Sequence, residues 1–316
     1  MARLILASRF DRAAQRFRWL RNLLFGVEAL FVYACWYGFK ALSPERASRL
    51  GRRIVGFLGP RSAKADILVA NLRVALHDAE DGDVSAAARR FWGNLGAVFG
   101  EYPHLARIAL EDGGRRLEVV DELGLASYRR GGKRAVFFGA HVANWELMAL
   151  ALARAGVPLL ALYAPLQNER LGHLMDRARR QLGCDLLARD ASPRPILKHL
   201  ADGGSLGLLV DLKVDDGIEV PFFGQPMRTS PTPARMAARF DCDLVPVSTE
   251  RLGPAHYRVT VHAPLPAPPP GDEEAQLRFR MRAMNAAMET FIRAHPDEWL
   301  ATNRRWPKAV YAAPAR

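Results

Sequence analysis

Cysteine is scarce in this chain and is badly placed for cross-links or for a metal site. Cys35, Cys184 and Cys242 are its only cysteines, an odd number with long gaps and no C-x-x-C pair. The pattern excludes a disulfide framework and favours buried structural thiols in a reducing compartment. The histidines stand apart without an H-E-x-x-H motif, so we expect neither a metal nor another cofactor.

Acidic residues are also few, with 33 Asp and Glu against 45 Lys and Arg, a net charge of +12. Residues 1–60 hold eleven basic and three acidic residues, 11 − 3 = +8 of that excess. Such a patch attracts phosphates of nucleic acids or of lipid headgroups. The sequence has no zinc-finger spacing and no RNA-binding aromatic signature. Because the neighbouring aromatic residues lie in an apolar stretch, the charge indicates an anionic membrane surface and no nucleic acid.

That stretch, residues 23–39, is the longest apolar run, and Glu28 is its only charged residue. As a helix it would reach about 25 Å, slightly less than the ~30 Å hydrocarbon core of a bilayer. Glu28 and the missing small-residue cleavage site argue against a signal peptide. We predict that residues 1–43 form a basic and apolar membrane anchor. Either a full span or a helix lying in one leaflet fits the pattern, and a buried core helix is the alternative.

Residues 44–316 are predicted to form one α/β domain. Helical patterns occupy 44–112, and from about 117 short apolar strands alternate with helices, which is typical of a sheet covered on both faces. We expect a mixed, mostly parallel sheet flanked by helices. The predicted strands are Lys133–Gly139, Leu159–Tyr163, Ser205–Asp211, Leu244–Thr249 and Tyr257–His262.

The segment Gly139–Glu146, GAHVANWE, carries the sharpest chemical signal. A buried strand would deliver His141 to its carboxyl end, where open α/β sheets place their ligands. Asn144 is a suitable N-cap and would place Glu146 in the first turn of a helix, where the helix dipole keeps a carboxylate ionised. Glu146 could then hold one imidazole nitrogen and leave the other as a general base. The alternative is a hydrogen-bonded histidine beside an ordinary helix-terminus charge.

A histidine followed by four residues and an acid, after a hydrophobic strand, resembles the signature of the lysophospholipid/glycerolipid acyltransferase superfamily. The wider chain is similar to the lipid A biosynthesis lauroyl/myristoyl branch. The matching segments are Asn71-Leu72, Phe91–Gly96 with Glu101, Gly139–Glu146, Tyr163–Pro165 with Asn168, Arg177–Arg179 with Gly183, Val220–Gly224, Pro246, Arg251, Pro296–Leu300 and Arg304–Trp306.

The resemblance implies a glycerolipid acyltransferase-like fold and transfer of an acyl chain from acyl carrier protein, or from coenzyme A, to a hydroxyl of a glycolipid. It implies that His141 is the base, that Glu146 is its partner and that Arg177 or Arg179 contacts substrate or the developing oxyanion. An inner-membrane location follows, with the catalytic domain on the cytoplasmic side. Further substrate-binding candidates are Asn144, Tyr163, Asn168, Asp211 and Lys213, the last two facing either a phosphorylated headgroup or solvent.

The chain departs from the family where Asp-Gln often stands, at Asp211-Leu212, and where Trp and His are common, at Ala301 and Asn303. The acceptor could therefore be a lipid A precursor, an ornithine lipid or another glycolipid.

Two other functions are alternatives to an acyltransferase, and one C-terminal segment has two possible interpretations. Gly203–Gly207 matches G-x-S-x-G, so a serine hydrolase using Ser205 is an alternative, although the expected strand-then-helix order is reversed. A non-catalytic membrane scaffold is another. Trp299 and Trp306, which flank Arg304-Arg305, suit a membrane-surface element or packing of the C-terminal segment.

Overall fold

The computed structural model describes residues 17–110 and 115–312. The basic residues of the predicted anchor that precede Phe17 lie outside this part. The helices are α1 Arg18–Lys40, α2 Pro44–Leu58, α3 Ala65–Ala75, α4 Asp81–Glu101, α5 Leu105–Leu110, α6 Glu146–Arg154, α7 Glu169–Arg179, α8 Arg194–Ala201, α9 Thr232–Phe240, α10 Glu273–Ala294 and α11 Lys308–Ala312. The strands are β1 Leu117–Asp121, β2 Ala135–Gly139, β3 Leu159–Tyr163, β4 Asp185–Ala188, β5 Ser205–Leu209, β6 Ile218–Phe222, β7 Gln225–Thr229, β8 Asp243–Gly253 and β9 His256–Val261.

Seven strands form one sheet in the order β1-β9-β8-β2-β5-β3-β4, and β6 and β7 form a separate antiparallel hairpin. All neighbours in the large sheet are parallel except β8 and β9. The central strand β2 is buried along its whole length, as parallel strands covered by helices on both faces are. The predicted mixed, mostly parallel sheet flanked by helices is confirmed.

Helices α2 and α4 pack with their backbones in contact, because small residues line the seam. A Cβ built on Gly51 would lie 2.1 Å from the carbonyl oxygen of Gly96, and one built on Gly96 would lie 2.2 Å from that of Gly51. The opposite face of α2 carries exposed apolar and basic side chains. They are Leu50, Ile54, Phe57 and Leu58 together with Arg49 and Arg53.

Helix α1 is the one helix of the described residues that is long and apolar enough to cross a bilayer, over Trp19–Lys40. Only 11% of its apolar window is buried in the protein, which argues against the core-helix alternative. Its one acid, Glu28, is buried where Asn168 Nδ2 donates to the carboxylate and to the Phe25 carbonyl, each at 3.0 Å. Helix α1 is therefore attached to the start of α7.

Candidate active site

His141 lies just past the carboxyl end of β2, in a loop whose backbone is fixed on both sides. Its carbonyl accepts from the Leu300 N–H at 2.8 Å, and the Ala143 N–H donates to the Glu298 carbonyl at 3.0 Å. Ala143 has a positive φ of 52°, a conformation that costs a non-glycine residue about 1 kcal/mol or more and persists only where the surroundings impose it. The segment after β2 thus forms a turn that the C-terminal part of the chain holds in place.

The imidazole of His141 is held by Asp211. Nδ1 lies 2.6 Å from Asp211 Oδ1, and Asp211 is completely buried. The sheet explains the meeting, because β2 and β5 are parallel neighbours with Gly139 opposite Leu209. His141 and Asp211 each follow those partners at the same offset, so their side chains reach one another at the same sheet edge.

Burial by itself would raise the pKa of Asp211. The imidazole of His141, the guanidinium of Arg305 and the indole N–H of Trp299 outweigh burial and hold the pKa well below its usual range. An ionised carboxylate only accepts hydrogen bonds, so His141 Nδ1 is assigned the proton. Nε2 is then the nitrogen that can accept a proton from a substrate.

Glu146 does not hold the imidazole, contrary to the pairing predicted from the sequence. It is the first residue of α6, as expected, but its Oε1 accepts from Tyr102 Oη at 2.6 Å and from Arg179 Nη2 at 2.7 Å. Arg179 Nε also lies 3.1 and 3.2 Å from the two carboxylate oxygens. The Glu146 carboxylate is thus engaged in a buried pair with a guanidinium, and Asp211 takes the predicted position beside His141.

Arg179 and Arg177 have different environments, since side chains two positions apart on a helix point in nearly opposite directions. The Arg179 side chain is 14% exposed and packs over the ring of Tyr163, 5.2 Å from its centroid. Burial would lower its pKa, but Glu146 raises it above its usual value, so the cation is permanent. Arg177 is exposed. The structure therefore joins Glu146, Arg179 and Tyr163 and leaves Arg177 outside this group.

The sequence model of the bacterial lipid A biosynthesis acyltransferase family matches residues 15–308 of this chain. The chain belongs to this family. The chain is 24% identical over 288 residues to lipid A biosynthesis acyltransferase 1 of Shigella flexneri and to the lipid A biosynthesis myristoyltransferase of Escherichia coli (strain K12), covering 84% of each protein. It is 27% identical over 139 residues to a phosphatidylinositol mannoside acyltransferase of Mycolicibacterium smegmatis. That match covers 42% of this chain and 46% of the relative.

Three further substrate-binding candidates of this acyltransferase differ in their surroundings. Asn144 is fully buried but does not cap α6 with its side chain. Neither of its side-chain polar atoms has a partner among the described residues. Asn168 is occupied by α1, as described above, which makes it a structural contact rather than an open binding group. Lys213 is partly exposed and lies 3.5 Å from Asp215 in the loop after β5.

The structure opposes the serine hydrolase alternative. Ser205 begins β5, at the edge of the sheet opposite to His141, and is completely buried. Its hydroxyl oxygen accepts from the Ala135 N–H at 3.0 Å. A nucleophile elbow would instead expose the serine between a strand and a helix. Ser205 therefore serves the packing of the sheet.

The C-terminal Trp-Arg-Trp group is buried, so its interpretation as a membrane-surface element is wrong. Trp299, Arg305 and Trp306 are each at most 2% exposed. Trp299 Nε1 donates to Asp211 Oδ2 at 2.9 Å, and Trp306 Nε1 donates to the Phe222 carbonyl at 3.1 Å. Tyr102, Trp299 and Arg305 are site residues that sequence reasoning missed. Tyr102 lies at the end of α4 and gave no spacing signal; Trp299 and Arg305 are in segments that match the family.

Proposed function

We propose that this acyltransferase moves a fatty acyl chain from a thioester of acyl carrier protein or coenzyme A to a hydroxyl of a lipid A precursor or a related glycolipid. The observation that carries the proposal is the buried Asp211 carboxylate on His141 Nδ1 at 2.6 Å, which directs Nε2 to act as a base. The two lipid A relatives and the phosphatidylinositol mannoside relative support a glycolipid acceptor.

In the proposed reaction, His141 Nε2 takes the proton of the acceptor hydroxyl as its oxygen attacks the thioester carbonyl carbon. The tetrahedral oxyanion then collapses, the carbon–sulfur bond breaks, and the imidazolium returns its proton to the departing thiolate. The products are an ester on the lipid and a free thiol on the carrier. Asp211 stabilises the imidazolium between the two steps, which is the role of the acid in a serine triad.

Arg179 is the candidate for stabilising the oxyanion. Glu146, which also accepts a hydrogen bond from Tyr102, fixes the guanidinium from one side, and the partial exposure of Arg179 leaves a route to a ligand. A fixed donor of this kind contributes typically about 10²–10³ in rate. Asn144 lies between His141 and Glu146 in the sequence, and its amide is unpaired among the described residues; it would bind a polar group of the substrate only if the His141 loop moves to expose it, because the side chain is completely buried here. In this proposal Glu146 positions Arg179 and not His141.

The exposed apolar faces of α1 and α2 support a place at a membrane. Trp19, Leu30 and Phe31 of α1 are each more than half exposed, which is costly in water for so much apolar area. On α2, Phe57 is 64% exposed, and Arg49 and Arg53 are exposed beside its apolar residues. Apolar side chains flanked by arginines suit the headgroup region of an anionic leaflet. We place the catalytic domain on the cytoplasmic side of the inner membrane, where an acyl carrier protein is present.

The catalytic proposal is tested with radiolabelled acyl chains on acyl carrier protein or on coenzyme A. Each donor is supplied with a lipid A precursor, an ornithine lipid precursor or a phosphatidylinositol mannoside, and the products are separated by thin-layer chromatography. We expect His141→Ala to lower the rate at least about 10²-fold, since general bases supply about 10²–10⁴. His173→Ala, a change of an exposed histidine on α7, is the matched control. Wild-type rates in His141→Ala would rule out the mechanism.

The membrane proposal is tested by co-sedimentation with vesicles of phosphatidylcholine, with and without phosphatidylglycerol. Replacing Phe57 by glutamate should weaken binding to the anionic vesicles about tenfold, because it removes one aromatic group from the proposed membrane contact and adds a charge that the anionic lipids repel. Leu252→Glu changes a half-exposed apolar residue of β8 and should bind as the wild type does. Equal binding of both variants would contradict a membrane role for α2.

A further inference from the structure

The carboxylate of Asp211 is shared between His141 and the C-terminal segment. Oδ1 bonds to the imidazole, whereas Oδ2 accepts from Trp299 Nε1 at 2.9 Å and lies 3.4 Å from Arg305 Nη2. Asp211 and Trp299 are completely buried and Arg305 is 1% exposed. A carboxylate that is shielded from bulk solvent in this way depends on its few protein donors, so each donor on Oδ2 changes how strongly Oδ1 attracts the imidazole proton.

Arg305 occupies its site at an evident cost. Burial lowers the pKa of its guanidinium, and Asp211 only partly opposes that effect. Its Nε has no hydrogen-bond partner among the described residues, while Nη2 donates to the Leu300 carbonyl at 2.7 Å. The guanidinium also packs over the Trp299 ring, 5.5 Å from the centroid. A buried cation held this way is seldom the most stable solution, since an apolar residue of similar volume often serves stability equally well.

The same segment fixes the backbone of His141. The Leu300 N–H donates to the His141 carbonyl, and Trp299 forms an isolated antiparallel bridge with Val142. One short segment thus holds both members of the His141–Asp211 pair, the first through its backbone and the second through a side chain.

We infer that Trp299 and Arg305 are positioning residues which act through Asp211 to orient His141 and to set its basicity. The inference rests on the proposed function, in which His141 is the base. Neither side chain is accessible to substrate, so we expect them to affect kcat and not substrate binding. Removing either one leaves the Asp211 charge less well satisfied, and the carboxylate then holds the imidazole proton more tightly.

Other titratable groups near His141 must be separated from this effect. Trp145 packs edge-on against the imidazole and does not titrate. Glu298, whose backbone carbonyl holds the His141 loop, has a pKa that burial raises to about 7. All profiles are therefore also recorded in a Glu298→Gln background, where that titration is absent.

The experiment is the pH profile of kcat/KM for acyl transfer by full-length Trp299→Phe and Arg305→Met. The acid limb should move up by about one pH unit, kcat should fall and KM should hardly change. Trp306→Phe is the matched control for the first variant, because it removes an indole N–H from the same aromatic cluster without touching Asp211. Arg304→Met, a change of the exposed neighbour, is the control for the second.

The inference is overturned if a folded Trp299→Phe or Arg305→Met variant has the same acid limb as the wild type. It is also overturned if Trp306→Phe shifts the acid limb as far as Trp299→Phe does. A second readout needs no turnover: in ¹⁵N-histidine-labelled protein the His141 signals, assigned by their loss in His141→Asn, should titrate at higher pH in Trp299→Phe. Failure of the proposed function can be distinguished from failure of this inference. If the wild type has no transferase activity, or if His141→Ala is active, the proposed function fails, and the NMR titration alone still tests whether Trp299 acts on His141.

Discussion

Glu298 should make the folded protein less stable as the pH rises. Its carboxylate accepts from the Arg251 N–H at 3.2 Å, and Glu298 borders a small cavity whose lining includes Phe91, Leu95 and Val98. Burial raises its pKa from 4.5 to about 7, although Arg251 acts in the opposite direction. A raised pKa means that the folded state binds the proton more readily than the unfolded chain. The stabilisation is therefore complete below 4.5 and is lost as the pH passes 7.

The size of the effect follows from the two pKa values, about 7 in the folded protein and 4.5 in the unfolded chain. At about 1.4 kcal/mol per pH unit, ionising Glu298 costs about 3.5 kcal/mol of folding free energy, of which about 3 kcal/mol is lost between pH 4.5 and pH 8. Urea unfolding in detergent micelles at pH 4.5 and pH 8 measures it, with Glu298→Gln as the permanently neutral form. The variant should gain about 3 kcal/mol relative to the wild type between these pH values. Glu274→Gln, at an exposed site, controls for the loss of a surface charge. The argument is refuted if the difference in unfolding free energy between Glu298→Gln and the wild type is the same at both pH values.

Three other changes test the packing. Glu101→Gln should cost about 3–5 kcal/mol in urea unfolding, because it leaves the buried Arg251 without its carboxylate partner. Ser205→Ala should cost about 1–3 kcal/mol, because it leaves a buried N–H of β2 without its acceptor. The variant should keep acyl transfer, and a fluorophosphonate probe should label neither the variant nor the wild type. Gly96→Ala should lower the thermal midpoint sharply because its Cβ meets a backbone carbonyl of α2, whereas Gly82→Ala, with open space around it, should not.

Four of the five predicted strands carry mostly apolar residues, whereas β9 alternates polar residues with buried apolar ones. Strand β2 is buried throughout, and its apolar run can be recognised from its own residues, without knowledge of the neighbouring strands. Strand β4 was not predicted because it is a short edge strand with one exposed and three partly buried residues. The β6–β7 hairpin is absent from the predicted strands, since the proline within β6 argues against a strand and Phe223 at the turn has a positive φ that its residue type does not signal.

The site was predicted residue by residue but not in its pairing. His141, Glu146 and Arg179 were named from a local motif and a resemblance, and Asp211 was named as a substrate-binding candidate and not as the partner of His141. Hydrogen bonding joins His141 to a residue 70 positions away. Only the order of strands in the sheet brings the ends of β2 and β5 together, and a single sequence does not give that order. A five-residue spacing therefore favoured Glu146, the nearer acid.

Which carboxylate serves the base can be decided by comparing Asp211→Asn with Glu146→Gln. An asparagine at 211 no longer carries the charge that stabilises the imidazolium, so the acid limb of kcat/KM should move down while kcat falls by about 10³–10⁴, as the matching change does in a serine triad. Glutamine at 146 removes the counter-ion of Arg179 and should lower transition-state binding without moving that limb. The direction of the limb separates the two roles even if both variants are slow. If the acid limb of kcat/KM instead moves down in Glu146→Gln and not in Asp211→Asn, Glu146 is the partner of His141, as the motif suggested, and Asp211 is only a structural charge.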